Sequence, residues 1–344
     1  MSTQRAVVHK SEGVAEIRED VPLPKLRDDY ILVKTKAVAL NPTDWKAIDY
    51  RNCPGAIAGC DYSGIVEAVG KHVTTPFKPG DRIAGFARGA NPDNHNDGAF
   101  AEHITAKGDL QMRLADNISY TDAATLGVGI TTVAQALYQS LGLPFPPAKV
   151  SSPTPILIYG ASTATGTLAI QFAKLSGCEV FATASPHNLD LLRNLGADHV
   201  FDYREPGVGA KIHDATNNKL ALVLDCITDQ GSPEICCEAI SSNGGHYSAL
   251  GLNAGKLPRD DVKNSLTVAY SALGERFSDR FPAKLEDFEF AVKFWRIAEE
   301  LVNSGRIKAH PAEVREGGLD GVIQGLKDLK DGKVSAVKLV YEIA

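Results

Sequence analysis

The chain has 344 residues, 44% of them hydrophobic and 23% charged, with a formal net charge of −6. That make-up belongs to a globular protein with room for two cores. The acidic balance, with no basic block, argues against nucleic-acid binding, and no apolar run approaches the roughly 18 residues that span a bilayer. The first ten residues, MSTQRAVVHK, lack the apolar core of a signal peptide, so a cytoplasmic protein is expected. Cys53, Cys60, Cys178, Cys226, Cys236 and Cys237 show no CxxC spacing and read as free thiols.

In chain order, the part up to about residue 120 reads as β-rich. Arg5 to His9, Val14 to Glu19 and Tyr30 to Ala39 alternate apolar and polar residues, and NPTDWKAIDY (41–50) then breaks the pattern with a short helix. Gly64 to Gly70, Asp81 to Phe86 and Gly98 to Ile104 read as further strands of a compact, partly closed barrel. TDAATLGVGITTVAQALYQSLG has helical spacing and predicts two helices. Prolines at 144, 146, 147, 153 and 155 forbid regular structure before an α/β rhythm begins. In it, His199 to Tyr203, Leu220 to Ile227 and Gly245 to Leu250 read as strands, with helices at Gly209 to Ala215 and Pro233 to Ile240 between them. From Ala283 two amphipathic helices end at Gly305 and Gly332, and a last strand covers Ala336 to Tyr341. These tail elements are expected to pack back onto the β-rich part, with the α/β part as an insertion.

The α/β part opens on PILIYGASTATGTLAIQFAKLSGCEVFATASPHN, a strand, a glycine turn, a helix and a second strand. Such a unit sets a helix N-terminus beside the turn, where a pyrophosphate can sit. Gly160 and Gly166 keep the frame of G-x-G-x-x-G, while Ser162, Thr163, Ala164 and Thr165 replace its middle. The three hydroxyls can donate to phosphate as well as the backbone can; taken alone, the turn also reads as close strand–helix packing. An NAD site usually carries Asp or Glu at the end of the second strand to hold the ribose 2′-OH. Here Ser185, Pro186, His187 and Asn188 stand instead, so NADPH is the expected cofactor. The same four residues also read as a helix start, Ser185 as cap and Pro186 in first position.

The order of these elements, with NPTDWK, AGCDYSGIVEAVG, PGDRIAGF, GAFAEH and TLGVGITT at matching spacing, resembles the zinc-independent medium-chain dehydrogenase/reductases across essentially the whole chain. YGASTATGT, ASPHN, VFDYR, LDCIT and GGHYSALG resemble more narrowly the fungal trans-acting enoyl reductases of polyketide synthases, the lovastatin type. The resemblance implies an α/β fold: a GroES-like β-rich catalytic domain (1–120 and 271–344) and a Rossmann domain with a doubly wound parallel sheet (121–270). It implies a zinc-independent, NADPH-dependent reduction of the C=C bond of an α,β-unsaturated acyl substrate, with hydride to the β-carbon and a proton to the α-carbon. Where zinc-dependent relatives place Cys and Gly-His-Glu ligands, this chain has Asn41 and Gly59-Cys60-Asp61, so no metal is expected.

Position by position, the resemblance implies cofactor contacts at Thr43, Asp44, Trp45 and Lys46, at Ser162, Thr163, Ala164 and Thr165, and at Ser185, Pro186, His187 and Asn188. Tyr203, Leu250, Gly251, Ser335 and Ala336 complete that set. Lys46 is the first candidate for placing the cofactor or supplying a proton, though a lone lysine on a short helix is commonly just solvated. Thr132 matches a position that can donate to the substrate carbonyl, and it reads equally as a helix cap. Thr132, Val133, Gln135, Ala136, Gln139, Tyr270, Ser271 and Ala272 match substrate-lining positions. Two other functions stay open: a stand-alone quinone or enone oxidoreductase, and a non-catalytic NADPH sensor. The partner expected is a free or carrier-bound unsaturated acyl group, with a polyketide synthase, and the chain is expected to be a monomer or a homodimer. Arg and Asp in SLTVAYSALGERFSDRF could guard an edge strand against pairing.

Overall fold

Alternating residues at the start of the chain pair as an antiparallel hairpin, β1 (Thr3–Ser11) with β2 (Val14–Pro22). A computed structural model describes residues 2–229, 231–251 and 255–344. After the hairpin come β3 (Tyr30–Ala39), α1 (Pro42–Tyr50), β4 (Asp61–Val69), β5 (Arg82–Phe86), β6 (His103–Lys107) and β7 (Gln111–Arg113). Two short helices, α2 (Tyr120–Ala124) and α3 (Gly127–Val133), follow, the second running on as π-helix over Ala134–Ser140. The α/β part contains β8 (Pro155–Tyr159), α4 (Ala164–Leu175), β9 (Glu179–Ala184), α5 (Leu189–Asn194), β10 (His199–Asp202), α6 (Val208–Ala215), β11 (Leu222–Asp225), α7 (Ser232–Ala239), β12 (Gly245–Ala249) and β13 (Val262–Leu266). The tail holds α8 (Leu285–Asn303), β14 (Ala312–Arg315), α9 (Gly318–Lys330) and β15 (Lys338–Glu342).

Chain contacts separate two compact units: residues up to Val128 with Ala272–Ala344, and Gly129–Ser271. In the first, discontinuous unit the sheet order is β14-β15-β3-β4-β5-β7. β3 is long enough to serve three neighbours: β4 along its length, β6 from Tyr30 to Lys34, and β15 from Ala37 to Ala39. The core packs Val7, Ile31, Val33, Tyr62, Ile83 and Phe100 against Leu319, Val322 and Leu326 of α9. Each such side chain contributes about 1.5–3 kcal/mol over leaving it in water.

In the continuous unit β8 reads PILIY and is buried throughout, as a central strand covered on both faces must be. The sheet is parallel, in the order β10-β9-β8-β11-β12-β13. The chain leaves β8 toward β9 and β10, then returns across it to β11, so the winding reverses between β8 and β11. Ligands of such sheets bind beyond the carboxyl ends of the strands at that reversal.

Several elements differ from their sequence reading. Gly98–Glu102 is not part of the strand: Ala99 and Phe100 donate to the carbonyls of Gly59 and Ala58, Ala101 makes only an isolated bridge to Ala6, and β6 begins at His103. β11 stops at Asp225 rather than Ile227, since the Asp225 carboxylate accepts the Ile227 and Thr228 N–H groups and closes a turn. Ser185 makes no capping bond, and a 3₁₀ turn over Pro186–Asn188 precedes α5. β7, β13 and β14 have three to five residues and too little alternation to be read from sequence. The edges of the parallel sheet are β10 and β13; Lys263 and Asn264 of β13 are exposed, while the arginines and aspartates expected to guard an edge lie beyond it, after Ala272.

Candidate active site

At the reversal between β8 and β11 the first loop is Gly160–Thr163. Gly160 adopts φ +70°, and a Cβ on it would stand 2.5 Å from the Ile227 side chain, so the two loops touch closely. Gly166 is required for a different reason: its Cβ would lie 2.6 Å from the Ala161 Cα. The backbone of α4 therefore comes down onto the turn itself. Thr163 caps α4, its hydroxyl accepting the Gly166 N–H at 3.0 Å. It also meets the Cys226 thiol. Its hydroxyl is thus spent on structure, and Ser162 and Thr165, half-buried, are the hydroxyls at the mouth of the turn. Small residues, a glycine-bearing turn and a helix N-terminus make a cradle that fits a dinucleotide pyrophosphate.

The second loop is built by a residue that the sequence reading missed as a site residue. Asp225, fully buried at the end of β11, accepts Ser232 Oγ at 2.5 Å and Tyr247 Oη at 2.7 Å besides its two backbone partners. It holds Thr228 at φ +63°, and the Thr228 hydroxyl accepts the N–H groups of Leu250 and Gly251 at 3.2 and 3.1 Å. Leu250 and Gly251 are thereby fixed beside the cradle. The signal was the aspartate of LDCIT at a strand's carboxyl end. On the other side of β8, β9 ends at Ala184 with Ser185 half-buried, Pro186 and His187 exposed and Asn188 buried. Tyr203 is exposed just after β10, its ring edge-on to Tyr159 at 6.2 Å.

In the discontinuous unit, α1 begins at Asn41, whose N–H donates to the Asp44 carboxylate at 2.7 Å. Thr43 and Trp45 are half-buried and Lys46 is exposed, its Nζ 5.5 Å from the Trp45 ring. Asp44 is a correction to the expected cofactor contacts: it is buried, and its carboxyl turns inward toward Asn41 and Cys60. Burial pushes that carboxyl up to about 7, opposed by the Cys60 thiol and the Asn41 N–H, with Asp61 raising it further and Lys338 lowering it. Ser335 is exposed and Ala336 adopts φ +55°, just before β15.

The family's metal positions do not fit a zinc ion here. Lys338 Nζ donates to Asp61 and to the Thr125 carbonyl, and the Val128 N–H donates to the other Asp61 oxygen at 2.6 Å. An ammonium thus occupies the carboxylate that a metal would need, and Asn41 offers only an amide. Among the described residues no three His, Cys, Asp or Glu side chains stand close enough to hold a metal.

Of the expected substrate residues, Gln135 sits in the π-helical stretch and donates to Ser271 Oγ at 2.8 Å, while its Oε1 is buried without a protein partner. Thr132 and Tyr270 are nearly enclosed, Ser271 is half-buried and Gln139 is exposed. Val133, Ala136 and Ala272 have no accessible surface.

Two family models match the chain: "Alcohol dehydrogenase GroES-like domain" over residues 27–116 and "Zinc-binding dehydrogenase" over 164–289. Trans-enoyl reductase ACTTS2 of Alternaria alternata is 57% identical over 344 residues, covering all of both chains. The chain belongs to the medium-chain dehydrogenase/reductase family. Trans-enoyl reductase resD of Aspergillus sclerotiorum is 46% identical, over 98% of this dehydrogenase/reductase and all of that protein. Among solved structures, CurK enoyl reductase superposes with a TM-score of 0.77 at 18% identity, and the quinone oxidoreductase of Coxiella burnetii with 0.74 at 22%. Each of these two matches covers the whole of both chains, and at such identities they speak for the fold alone. A medium-chain dehydrogenase/reductase uses a nicotinamide cofactor, which agrees with the cradle between β8 and β11. No helix among the described residues is long and apolar enough to cross a membrane.

Proposed function

We propose that this dehydrogenase/reductase reduces the C=C bond of an α,β-unsaturated acyl group built by a polyketide synthase, as a separate cytoplasmic enoyl reductase. The observation that carries this reading is the full-length 57% identity to a protein named as a trans-enoyl reductase. The preferred cofactor is NADPH: no carboxylate stands among Ser185–Asn188 to repel a 2′-phosphate, and Ser185, with no cap to make, and exposed His187 offer donors there. A bound reduced nicotinamide supplies the hydride for the β-carbon.

The chain's own residues do the rest. The Gly160–Thr165 turn and the N-terminus of α4 hold the pyrophosphate, with Leu250 and Gly251 closing the nicotinamide side and Tyr203 the adenosine side. Lys46, together with Thr43 and Trp45, positions the nicotinamide ribose or supplies the proton for the α-carbon. Thr132 donates to the carbonyl oxygen, where negative charge gathers as the enolate forms. Gln135, Gln139, Tyr270 and Ser271 receive the acyl chain.

The test is loss of reduced-nicotinamide absorbance with an α,β-unsaturated acyl thioester, a quinone and a simple enone, each with NADPH and NADH. Thioester turnover with NADPH is expected, and Thr132→Val should lower kcat on the order of a hundredfold, as for loss of one oxyanion donor. Turnover confined to quinone or enone would replace the reading with a stand-alone oxidoreductase. Tight NADPH binding without turnover of free or carrier-bound acyl groups would leave a sensor. Equal use of NADH would refute the role given to Ser185–Asn188.

A further inference from the structure

Thr228 keeps a backbone conformation that strains a β-branched residue, with φ +63° in the left-handed region. Asp225 holds it there: one carboxylate oxygen accepts the Ile227 and Thr228 N–H groups at 2.8 and 2.9 Å, and the other is fixed by Ser232 and Tyr247. Asp225, Thr228, Ser232 and Tyr247 are all buried, so the arrangement is shielded from water. Burial, with Asp225 beside it, pushes the Tyr247 hydroxyl far above its ordinary range, and it stays a donor.

The strained turn uses the Thr228 hydroxyl to capacity. It donates to the Asp225 carbonyl at 3.2 Å and accepts the Leu250 and Gly251 N–H groups, which takes up a hydroxyl's one proton and two lone pairs. Leu250 shares its N–H with the Asp225 carbonyl at 3.3 Å, whereas among the described residues the Gly251 N–H meets Thr228 alone. A Cβ on Gly251 would stand 2.9 Å from the Thr228 Cβ, so only glycine lets the two residues come so close.

All of these residues belong to the continuous unit, and they lie on one side of its reversal. Thr228 and Gly251 follow β11 and β12, while Ser185–Asn188, which the cofactor reading gives to the 2′-phosphate, follow β9 on the other side. A dinucleotide lying across the reversal then has its adenosine end over β9 and its nicotinamide end over β11 and β12. We infer that Asp225 and Thr228 are positioning residues for the nicotinamide end alone, pinning Leu250 and Gly251 where that end rests. This rests on the NADPH reading above. Without the pin Leu250 and Gly251 move, the nicotinamide loses its seat, and the adenosine end keeps its own.

The experiment titrates wild type, Thr228→Val, Thr228→Ser, Asp225→Ala and Asp225→Asn with NADPH and with adenosine 2′,5′-bisphosphate, which carries the adenosine end alone. Thr228→Val and Asp225→Ala should weaken NADPH on the order of tenfold, the worth of one hydrogen bond, with the bisphosphate bound as in wild type. Thr228→Ser keeps the hydroxyl, and Asp225→Asn keeps an oxygen for the Ile227 and Thr228 N–H groups, so both should restore most of the NADPH affinity. Should Asp225→Ala not fold, Thr228→Val, close to threonine in shape, carries the test. Amide hydrogen exchange without nucleotide should speed up at Leu250 and Gly251 in Thr228→Val and stay unchanged in β8 and β9. Equal losses for NADPH and the bisphosphate would overturn the proposal in favour of a general structural role, and so would an NADPH affinity unchanged in Thr228→Val. A wild type that does not bind both nucleotides fails the cofactor reading and the proposal with it. Unchanged exchange in Thr228→Val refutes the pin itself, even where both nucleotides bind.

Discussion

Asp44 and Lys46 stand two places apart on α1 and face opposite ways, one into the core and one into water. For Asp44 the consequence is a dependence on pH. Its pKa is about 7 when folded against a usual 3.8, so the folded state binds the proton more tightly. Its contribution to stability is full below about pH 4 and is lost as pH rises through about 7. Asp61, Lys338 and Cys60 are the charged or polar side chains that act on it. Asp44→Asn keeps an acceptor for the Asn41 N–H and cannot ionise. Its urea midpoint should therefore gain on wild type as pH rises across that window; a gap that stays constant would show that Asp44 does not titrate there.

Among elements, the β8–turn–α4 unit depends most on one absent side chain. Gly166→Val would drive a branched side chain into the Ala161 backbone, at a stability cost of about 1–3 kcal/mol. The variant should also bind NADPH much more weakly by fluorescence titration, whereas the same substitution at exposed Gly332, itself at φ +70° but with open space around it, should leave binding unaltered. This unit was legible in the sequence because its signals are local: a continuous apolar run, a glycine turn and a helical pattern after it. The Rossmann and GroES-like halves were legible in the same way. Asp225 was not, because its tie to Tyr247 depends on the parallel pairing of β11 with β12, and its bonds to 227, 228 and 232 on a turn that the expected strand to Ile227 hid. Nor could the sequence tell that Val133 and Ala136 pack while Gln135 between them keeps an unpartnered oxygen. That depends on the π-helical turn, which shifts the facing of each residue from ordinary helical spacing.

Over the whole chain, the buried pair Lys338–Asp61 ties the last strand to β4 and, through Thr125 and Val128, to the helices that lead into the nucleotide unit. Lys338→Met leaves a carboxylate buried without its cation, a loss of about 3–5 kcal/mol. Joined to Asp61→Asn, it should cost clearly less than the two single losses summed, as chemical unfolding of the four proteins would reveal; additive losses would deny the pairing. The discontinuous unit has one more consequence. β3 cannot acquire its neighbour β15 until nearly the entire polypeptide has left the ribosome, whereas every strand of the nucleotide sheet is already outside by then. At about 5–20 residues per second of synthesis, the nascent enzyme spends seconds with Ala37–Ala39 uncovered. During that interval the nucleotide unit can already be assembled, while the unfinished sheet of the discontinuous unit keeps an unpaired edge that a wrong strand can join.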